Sequence, residues 1–311
     1  MAGLIIIGGC NSSTNKKSES NIIVFHAGSL AVPFKLIADG FMKENPGIKV
    51  LLESAGSREC AKKITDLNKP CDIIASSDYT VIRDLLIPKF TNWYVNFATN
   101  EMCIAYTKKS RMADKIDSLN WQDILLSKDV SFGRSDPDSD PCGYRVVQMF
   151  QLAEKYYKTK GAAEKLLAKD QQNIRPKEVD LLALLESESL DYVIIYRSVA
   201  IQHKLEYVTL PDKINLKTPE YSDFYSTAKT EIAGKKKGEK QVMKGEPMVY
   251  AFSILDNAPN KEAAMKFAAY LLSPEKGGKI MQQSGQTVIN VLDAAMYQKV
   301  PDSLKKYLTK K

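Results

Sequence analysis

The amino-acid sequence predicts an α/β protein of two lobes, with the second lobe inserted into the first. From Asn21 onward, short apolar runs alternate with amphipathic stretches, which is typical of strands and helices in a mainly parallel sheet. Two similar apolar runs, 102–106 and 248–255, stand far apart in the chain and are predicted to cross between the lobes. The 311 residues are enough to form two buried cores.

Lobe 1 is predicted from three strand–helix units and a returning segment. The strands are 22–25, 50–52 and 71–75, and the helices that follow them are 30–37, a helix from Ser57, and 81–87. After the second crossing, 261–272 and 274–283 have the apolar spacing of helices that pack back on this lobe. We therefore assign residues 21–106 and 248–311 to lobe 1.

Lobe 2, residues 107–247, has its own α/β alternation. Helices are predicted from Cys142 and from Val179, and the apolar run 191–195 is predicted to be a strand. A lysine-rich stretch interrupted by glycines is interpreted as a solvated hairpin loop; its lysines are Lys235, Lys236, Lys237, Lys240 and Lys244. Because that stretch carries no aromatic residue for base stacking, no nucleic-acid partner is expected.

The N-terminus resembles the export signal of a bacterial lipoprotein. The apolar run 4–7 is followed by Gly8, Gly9 and Cys10, and in such a lipobox the cysteine is lipidated and becomes the mature first residue. The run is far shorter than the ~20 apolar residues of a transmembrane helix. The polar segment 11–20 is predicted to be a flexible tether. Residues 1–20 are thus interpreted as a signal remnant with lipobox and tether, and the protein as a membrane-anchored, extracytoplasmic monomer.

The residue types give little support for a resident metal or cofactor. The other four cysteines form no Cys-x-x-Cys pair or zinc-like spacing, and they are predicted to be buried thiols. With only His26 and His203 in the chain, a His/Cys metal site is improbable. Three aspartates at 136, 138 and 140 suggest a calcium loop, but Pro141 and Val147 stand where such a loop needs glycine and glutamate.

An enzyme is the alternative class of function. Ser29 or Ser57 would serve as the nucleophile of a hydrolase, and His26 is the nearest histidine in sequence. However, no nucleophile motif, P-loop or dinucleotide fingerprint is present, and a histidine at the end of a strand is more often packed in the core. The sequence therefore favours a protein without catalytic activity and without a cofactor.

Four predicted helix starts follow the carboxyl ends of strands, where open α/β sheets bind their ligands. They lie at 27–29, 54–57, 135–144 and 175–178, two in each lobe. Small residues let backbone N–H groups approach a ligand closely, and the helix dipole favours an anion. Any single start is more typical of helix capping, but the four together predict that both lobes surround one dianion.

The same segments resemble the tungstate/molybdate-binding proteins of ABC importers, in particular their archaeal-type branch. The resemblance extends from Asn21 to Val288, and its most specific element is Asp-Pro-Asp-Ser-Asp-Pro-Cys-Gly-Tyr-Arg at 136–145. It implies the two-lobed periplasmic-binding-protein fold, which closes on its anion by a hinge motion. It also implies delivery of the anion to a membrane permease powered by a cytoplasmic ATPase.

The resemblance further implies a role for individual residues. Ser29 and Ser57 match hydroxyl donors, Cys142 and Val179 match backbone-amide donors, and Tyr196 matches a phenol donor. In the archaeal-type branch two carboxylates also approach the metal and expand its coordination toward octahedral. Asp140 is the candidate for one of them, with Asp136 as second choice, although Asp140 before Pro141 is equally typical of a helix cap.

The second carboxylate of that branch is a glutamate directly before the tyrosine, and in this sequence that position is Ile195. A lone Asp140 carboxylate beside a dianion is disfavoured, because like charges repel strongly in a buried pocket. We therefore expect a tetrahedral anion held by Ser29, Ser57, Tyr196 and backbone amides, with Asp140 mainly capping its helix. Glu178 or a water molecule is the fallback source of an additional oxygen. Sulfate and phosphate remain alternative ligands of the same fold.

Overall fold

The computed structural model describes residues 20–234 and 238–311, which form two α/β lobes built on separate sheets. The strands are β1 (Ser20–Ala27), β2 (Ile48–Ala55), β3 (Ile73–Ser76), β4 (Val95–Thr99), β5 (Met102–Tyr106), β6 (Phe132–Ser135), β7 (Ile174–Arg175), β8 (Tyr192–Tyr196), β9 (Glu206–Thr209), β10 (Lys229–Ala233), β11 (Lys240–Lys244), β12 (Val249–Ile254), β13 (Thr287–Val288), β14 (Val291–Leu292) and β15 (Thr309–Lys310).

The α-helices are α1 (Ala31–Glu44), α2 (Ser57–Thr65), α3 (Tyr79–Val81), α4 (Trp121–Leu126), α5 (Pro141–Tyr157), α6 (Ala162–Lys169), α7 (Leu182–Glu186), α8 (Arg197–Gln202), α9 (Ser222–Tyr225), α10 (Lys261–Leu272), α11 (Lys279–Gln283), α12 (Ala294–Lys299) and α13 (Asp302–Lys305). Short 3₁₀ turns at Gly28–Leu30 and Glu178–Leu181 precede α1 and α7. The helix predicted at 81–87 is α3 continued by a π-helical turn, Ile82–Leu86.

The sheet of lobe 1 has the strand order β13-β4-β12-β3-β1-β2. Strand β1 pairs in parallel with both β2 and β3, as the alternation of strands and helices predicts. Helices α1 and α10 cover one face through the rings of Phe34, Phe41 and Phe267, whereas α2 packs on the other face through Cys60 and Ile64. This packing holds the carboxyl ends of β1, β2 and β3 along one edge of the lobe.

The sheet of lobe 2 has the order β7-β6-β8-β5-β9. Helix α5 packs on it, and the ring of Phe150 lies against Trp121 and Phe132. A separate hairpin, β10–β11, confirms the hairpin predicted in the lysine-rich stretch. The lysines at 235–237 lie outside the described residues, as do Cys10 and the rest of the proposed lipobox.

The lobe boundary predicted at residue 106 differs from the sheet pairing. Strand β5 pairs antiparallel with β8 and β9, so the apolar run 102–106 belongs to lobe 2 and the first crossing is at Asn100 and Glu101. The second crossing leads into β12, which lies beside β4 in lobe 1. Because β5 and β12 each enter their sheet from the other lobe, they run against their neighbours. The sheets are therefore mixed rather than mainly parallel.

No helix among the residues that the structure describes is long and apolar enough to cross a bilayer. The four described cysteines, Cys60, Cys71, Cys103 and Cys142, are free and buried, as predicted. Burial raises the pKa of the Cys60 thiol to about 12 and raises the others further. These thiols are core residues rather than reactive groups.

Candidate functional site

The predicted helix starts of the two lobes meet in one closed cleft. In lobe 1 the backbone N–H of Glu59, in the first turn of α2, donates to the Ser139 carbonyl of lobe 2 at 3.3 Å. Gly28 lies against Glu178 so closely that a methyl group on it would stand 3.2 Å from a Glu178 carboxylate oxygen. The strand ends of lobe 1 thus face the starts of α5 and of the Glu178–Leu181 turn.

Ser29 and Ser57 are fully buried in this cleft, and neither of them caps a helix. Each serine lies within the first turn, after an N-cap residue, Ala27 or Gly56, that makes no side-chain capping bond. Lys177, the N-cap of the Glu178–Leu181 turn, makes none either. Capping was the more probable single role of each start on sequence grounds, and for these two serines it is wrong. Their hydroxyls are available for another partner.

The hydroxyls of Ser57 and Tyr196 are oriented by donors that surround them. The Ser57 Oγ accepts from the backbone N–H of Ser77 at 3.0 Å, and the Tyr196 oxygen accepts from Arg145 Nη1 at 2.9 Å. Each oxygen thus accepts from a group that can only donate, and its own hydrogen points elsewhere. In this state the Tyr196 hydroxyl donates to Ser77 Oγ at 3.5 Å, and Ser57 Oγ lies 3.2 Å from the same atom. Ser77 Oγ is therefore the acceptor that a bound anion would replace.

A similar chain orients Ser29 from the lobe crossing. The Asn100 amide donates to the Tyr250 hydroxyl at 3.0 Å, and Tyr250 in turn donates to Ser29 Oγ at 3.0 Å. The Asn100 amide also bonds Ser198 of lobe 2 at 2.7 Å. The direction of the Ser29 hydroxyl is thus linked to the segment that connects the two lobes. Three directed hydroxyls, Ser29, Ser57 and Tyr196, suit an oxyanion.

Asp140 binds two backbone amides at once. Its Oδ1 accepts from the Cys142 N–H at 3.1 Å, which confirms the predicted cap of α5, and its Oδ2 accepts from the Glu178 N–H at 3.0 Å. The Cys142 amide expected to reach the anion is therefore directed at Asp140 in this state. The second-choice carboxylate, Asp136, accepts bonds from Asp138 and Ser139 within its own loop.

Glu178 is the most unusual polar group of the site. Its side chain is buried, and neither carboxylate oxygen has a hydrogen bond of good geometry to any residue in 20–234 or 238–311. The Asp140 carboxyl and the Ser29 hydroxyl nevertheless lie near enough to influence it. Burial, and then the neighbouring charge of Asp140, raise the pKa of Glu178 well above its usual range. A buried carboxylate without a well-formed hydrogen bond is rare in a folded protein and points to a ligand.

Of two further positions singled out in the sequence, Val179 lies at the cleft and Ile195 lies in the core of lobe 2. Ile195 lies on β8 opposite Cys103, and its side chain is part of the buried core of lobe 2. Val179 packs its side chain against Gly28, with its Cγ2 3.2 Å from the place of a methyl group there. Val179 is thus at the cleft as predicted, whereas Ile195 is a core residue.

In the hydrolase alternative His26 would be the base, and it is directed away from the serines. The Nδ1 of His26 lies 2.8 Å from the Ala27 carbonyl oxygen, and the ring packs on Phe34 at 5.5 Å. Burial lowers the pKa of His26 to about 4. The polar partners of Ser29 and Ser57 are instead Tyr250 and Ser77. His26 and these serines therefore do not form a nucleophile–base pair.

Ser77 and Tyr250 were not identified from the sequence. Ser77 directly follows β3, so the strand-end rule that selected Ser29 and Ser57 could have found it. Tyr250 lies on β12, a returning strand with no local motif, and only the fold brings it to Ser29.

Comparisons with known proteins agree with this architecture. The family of bacterial extracellular solute-binding proteins matches residues 22–286. An uncharacterized solute-binding protein of Petrotoga mobilis is 50% identical over 92% of this chain and 89% of its own length. The molybdate/tungstate-binding protein WtpA of Pyrococcus abyssi is 41% identical over 96% of this chain and 92% of its own length.

Solved structures show the same fold. The periplasmic molybdate-binding protein of Azotobacter vinelandii superimposes with a TM-score of 0.63 at 17% identity, covering 86% of this chain and 98% of its own. The sulfate-binding protein SubI of Mycobacterium tuberculosis gives a TM-score of 0.61 at 13% identity, covering 92% and 89%. At such identities the likeness describes the two-lobed fold and not the ligand.

Proposed function

The chain belongs to the bacterial extracellular solute-binding proteins, and from that premise we propose that it captures molybdate or tungstate between its lobes for an ABC importer. The observation that carries the proposal is the buried interlobe cleft, which brings together the hydroxyls of Ser29 and Ser57 from lobe 1 and of Tyr196 from lobe 2. The likeness to the WtpA protein, which is named for these two anions, supports the choice of ligand. In this role the protein binds and releases its anion unchanged.

We further propose that Glu178 supplies the carboxylate that is missing at Ile195. A tetrahedral site was expected because a lone Asp140 charge would only repel a dianion. Glu178 stands beside Asp140, and its two oxygens are without good hydrogen bonds to the described residues. Such a pair is tolerable next to a dianion when its oxygens bond directly to the metal atom. We therefore favour expanded coordination, with Asp140 and Glu178 both approaching molybdenum or tungsten.

Sulfate and phosphate are the competing ligands. Sulfate is disfavoured beside the buried Glu178 side chain, because sulfur does not accept additional oxygen ligands and so gains nothing from a second carboxyl group. Hydrogen phosphate could donate its proton to that carboxylate, so phosphate is the stronger competitor.

The ligand assignment is tested by calorimetric competition among molybdate, tungstate, sulfate and phosphate. We expect molybdate or tungstate to bind one per chain with a Kd at or below ~1 μM, about −8 kcal/mol, because donors fixed by two lobes lower the ordering cost. Sulfate and phosphate should bind at least tenfold more weakly, a difference of about 1.4 kcal/mol. Equal affinities for sulfate and molybdate would contradict the assignment of molybdate or tungstate as the ligand.

Removing either donor serine should weaken binding. Each hydroxyl donates a charge-assisted hydrogen bond worth about 1.5–3 kcal/mol, so Ser29→Ala and Ser57→Ala should each raise the Kd about tenfold or more. The matched control is Ser253→Ala, which removes a buried hydroxyl of the same lobe that bonds Thr91 at 2.8 Å. Calorimetry and thermal melts should show the control losing stability at unchanged affinity. The same pattern in the two site variants would contradict their role as donors.

We also propose that the protein acts as a monomer anchored outside the cytoplasm through a lipidated Cys10. Several acyl chains on one residue give stable attachment, because each buried CH₂ adds ~0.8 kcal/mol. The full-length protein should therefore move from the membrane to the soluble fraction after Cys10→Ala. Retention of that variant in washed membranes would show that another segment anchors it.

A further inference from the structure

A fully buried ion pair crosses the cleft beside the proposed anion site. Arg145 Nη2 lies 2.9 Å from Asp78 Oδ2, and each side chain is only 2% exposed. Asp78 follows β3 of lobe 1, whereas Arg145 belongs to α5 of lobe 2. The pair can therefore form only when the two lobes are closed on each other.

The Arg145 guanidinium makes additional contacts on both sides of the cleft. Its Nη1 donates to the Ser77 carbonyl oxygen of lobe 1 and to the Tyr196 hydroxyl of lobe 2, each at 2.9 Å. The Tyr144 hydroxyl also donates to Asp78 Oδ2, at 2.5 Å. A planar guanidinium can hold these acceptors at once, which a lysine ammonium in the same place cannot reproduce.

Some contacts of Arg145 lie within lobe 2 and exist before closure, whereas its contacts with lobe 1 form only on closure. Arg145 and Tyr196 belong to the same lobe, so the phenol is oriented in the open protein as well. Asp78 and the Ser77 carbonyl oxygen contact Arg145 only when lobe 1 closes on lobe 2. Since an arginine left unpaired in a dry interface is strongly unfavourable, closure without Asp78 is disfavoured.

We propose that Arg145 is a positioning residue that latches lobe 2 onto lobe 1 through Asp78 while it holds the Tyr196 hydroxyl in the direction of the anion. The latch stabilises the closed state in the absence of anion, and the anion adds its own contacts to a state already populated. Only the part that concerns Tyr196 rests on the proposed function, because closure of the anion-free protein does not depend on the identity of the ligand.

The test combines small-angle X-ray scattering of the anion-free and molybdate-saturated protein with stopped-flow dissociation rates of molybdate. Asp78→Asn removes the charge of the latch, and its Oδ1 can still accept the Thr80 N–H at the start of α3. We expect this variant to have a larger radius of gyration than the wild type without anion, and to release molybdate about tenfold faster at a nearly unchanged association rate. Arg145→Lys should behave in the same way, because a lysine ammonium cannot bind all the acceptors that the planar guanidinium holds.

Tyr196→Phe separates the two parts of the proposal. This variant keeps the ion pair, so its anion-free scattering should match the wild type, whereas its molybdate release should be about tenfold faster. The matched control for the latch is Asp170→Asn, which breaks a buried ion pair with Arg134 (2.6 Å) inside lobe 2. The control should lower the melting temperature and leave scattering and release unchanged.

Wild-type scattering and release rates in Asp78→Asn, whether or not its melting temperature falls, would overturn the latch. An unchanged release rate in Tyr196→Phe would overturn the orienting role. If no oxyanion binds at all, the proposed function and the Tyr196 role fail together, whereas the scattering of the anion-free variants still decides the latch.

Discussion

Glu178→Gln should make the anion-free protein more stable by about 1–3 kcal/mol at neutral pH and weaken molybdate binding roughly 10- to 150-fold. The buried carboxylate has no hydrogen bond of good geometry to the described residues and lies beside Asp140, so its charge is unfavourable in the anion-free protein. That charge is compensated only when the carboxylate oxygens bond to the metal atom of the anion. Glutamine has the same shape without the charge. A residue that binds the metal is expected to destabilise the anion-free protein and to stabilise the complex with the anion.

The gain in stability should depend on pH. Burial and Asp140 raise the pKa of Glu178 in the folded protein above its unfolded value, so at low pH the carboxyl is neutral in both states and costs nothing. As the pH rises above the unfolded value, the unfolded chain ionises first and the wild type loses stability relative to the variant. Melting curves of the two proteins should therefore coincide near pH 4 and separate toward pH 7, with the variant higher.

The coordination of the metal is measured by X-ray absorption at the molybdenum or tungsten edge. We expect a six-coordinate spectrum for the wild type and a lower coordination number for Glu178→Gln. The control Glu186→Gln, at an exposed position at the end of α7, should change neither spectrum, stability nor affinity. A four-coordinate wild type would restore the tetrahedral site expected from Ile195, with Glu178 outside the coordination shell.

The predictable parts of the site are those that depend on residues close together in the sequence. Ser29, Ser57 and Asp140 each follow a strand and begin a helix, so the rule for strand ends is sufficient to place them at the cleft. The cap of α5 was likewise predictable from Asp140 and Pro141, because capping depends on neighbours in sequence. The two-lobed α/β class follows in the same way from alternating local patterns.

The parts that were not predictable depend on contacts between distant segments. An apolar run such as 102–106 fits either lobe, and only its pairing with β8 and β9 assigns it to lobe 2. Two α-helices, α5 and α6, and the strand β7 separate Asp140 from Glu178 in the chain, yet the Glu178 amide donates to the Asp140 carboxylate. Residue type and spacing carry no information about which polar group is left without a partner once the lobes close.

Gly56 lies where the backbones of the two lobes approach each other closely. A methyl group on it would lie 2.3 Å from the Ser139 carbonyl oxygen and 2.9 Å from the carbonyl carbon, and neither backbone atom can rotate away as a side chain would. The backbone angles of Gly56, φ −59° and ψ 141°, are ordinary for alanine. The conflict therefore exists only across the closed cleft, and within lobe 1 the substitution is without strain.

Gly56→Ala should consequently act on closure and not on folding. Overpacking a rigid contact costs about 1–3 kcal/mol, so we expect molybdate affinity to fall roughly 5- to 150-fold. The anion-free melting temperature should stay the same or rise, because alanine restricts the unfolded chain and suits this backbone.

The matched control is Gly133→Ala, whose methyl group would meet the Asn173 carbonyl oxygen at 2.8 Å inside lobe 2. That variant should melt earlier while keeping its affinity relative to the folded fraction. Calorimetry and melting curves distinguish the two patterns, and scattering should show the saturated Gly56→Ala protein more open than the wild type. Wild-type affinity in Gly56→Ala would mean that the lobes bind their anion without approaching as closely as Gly56 and Ser139 do.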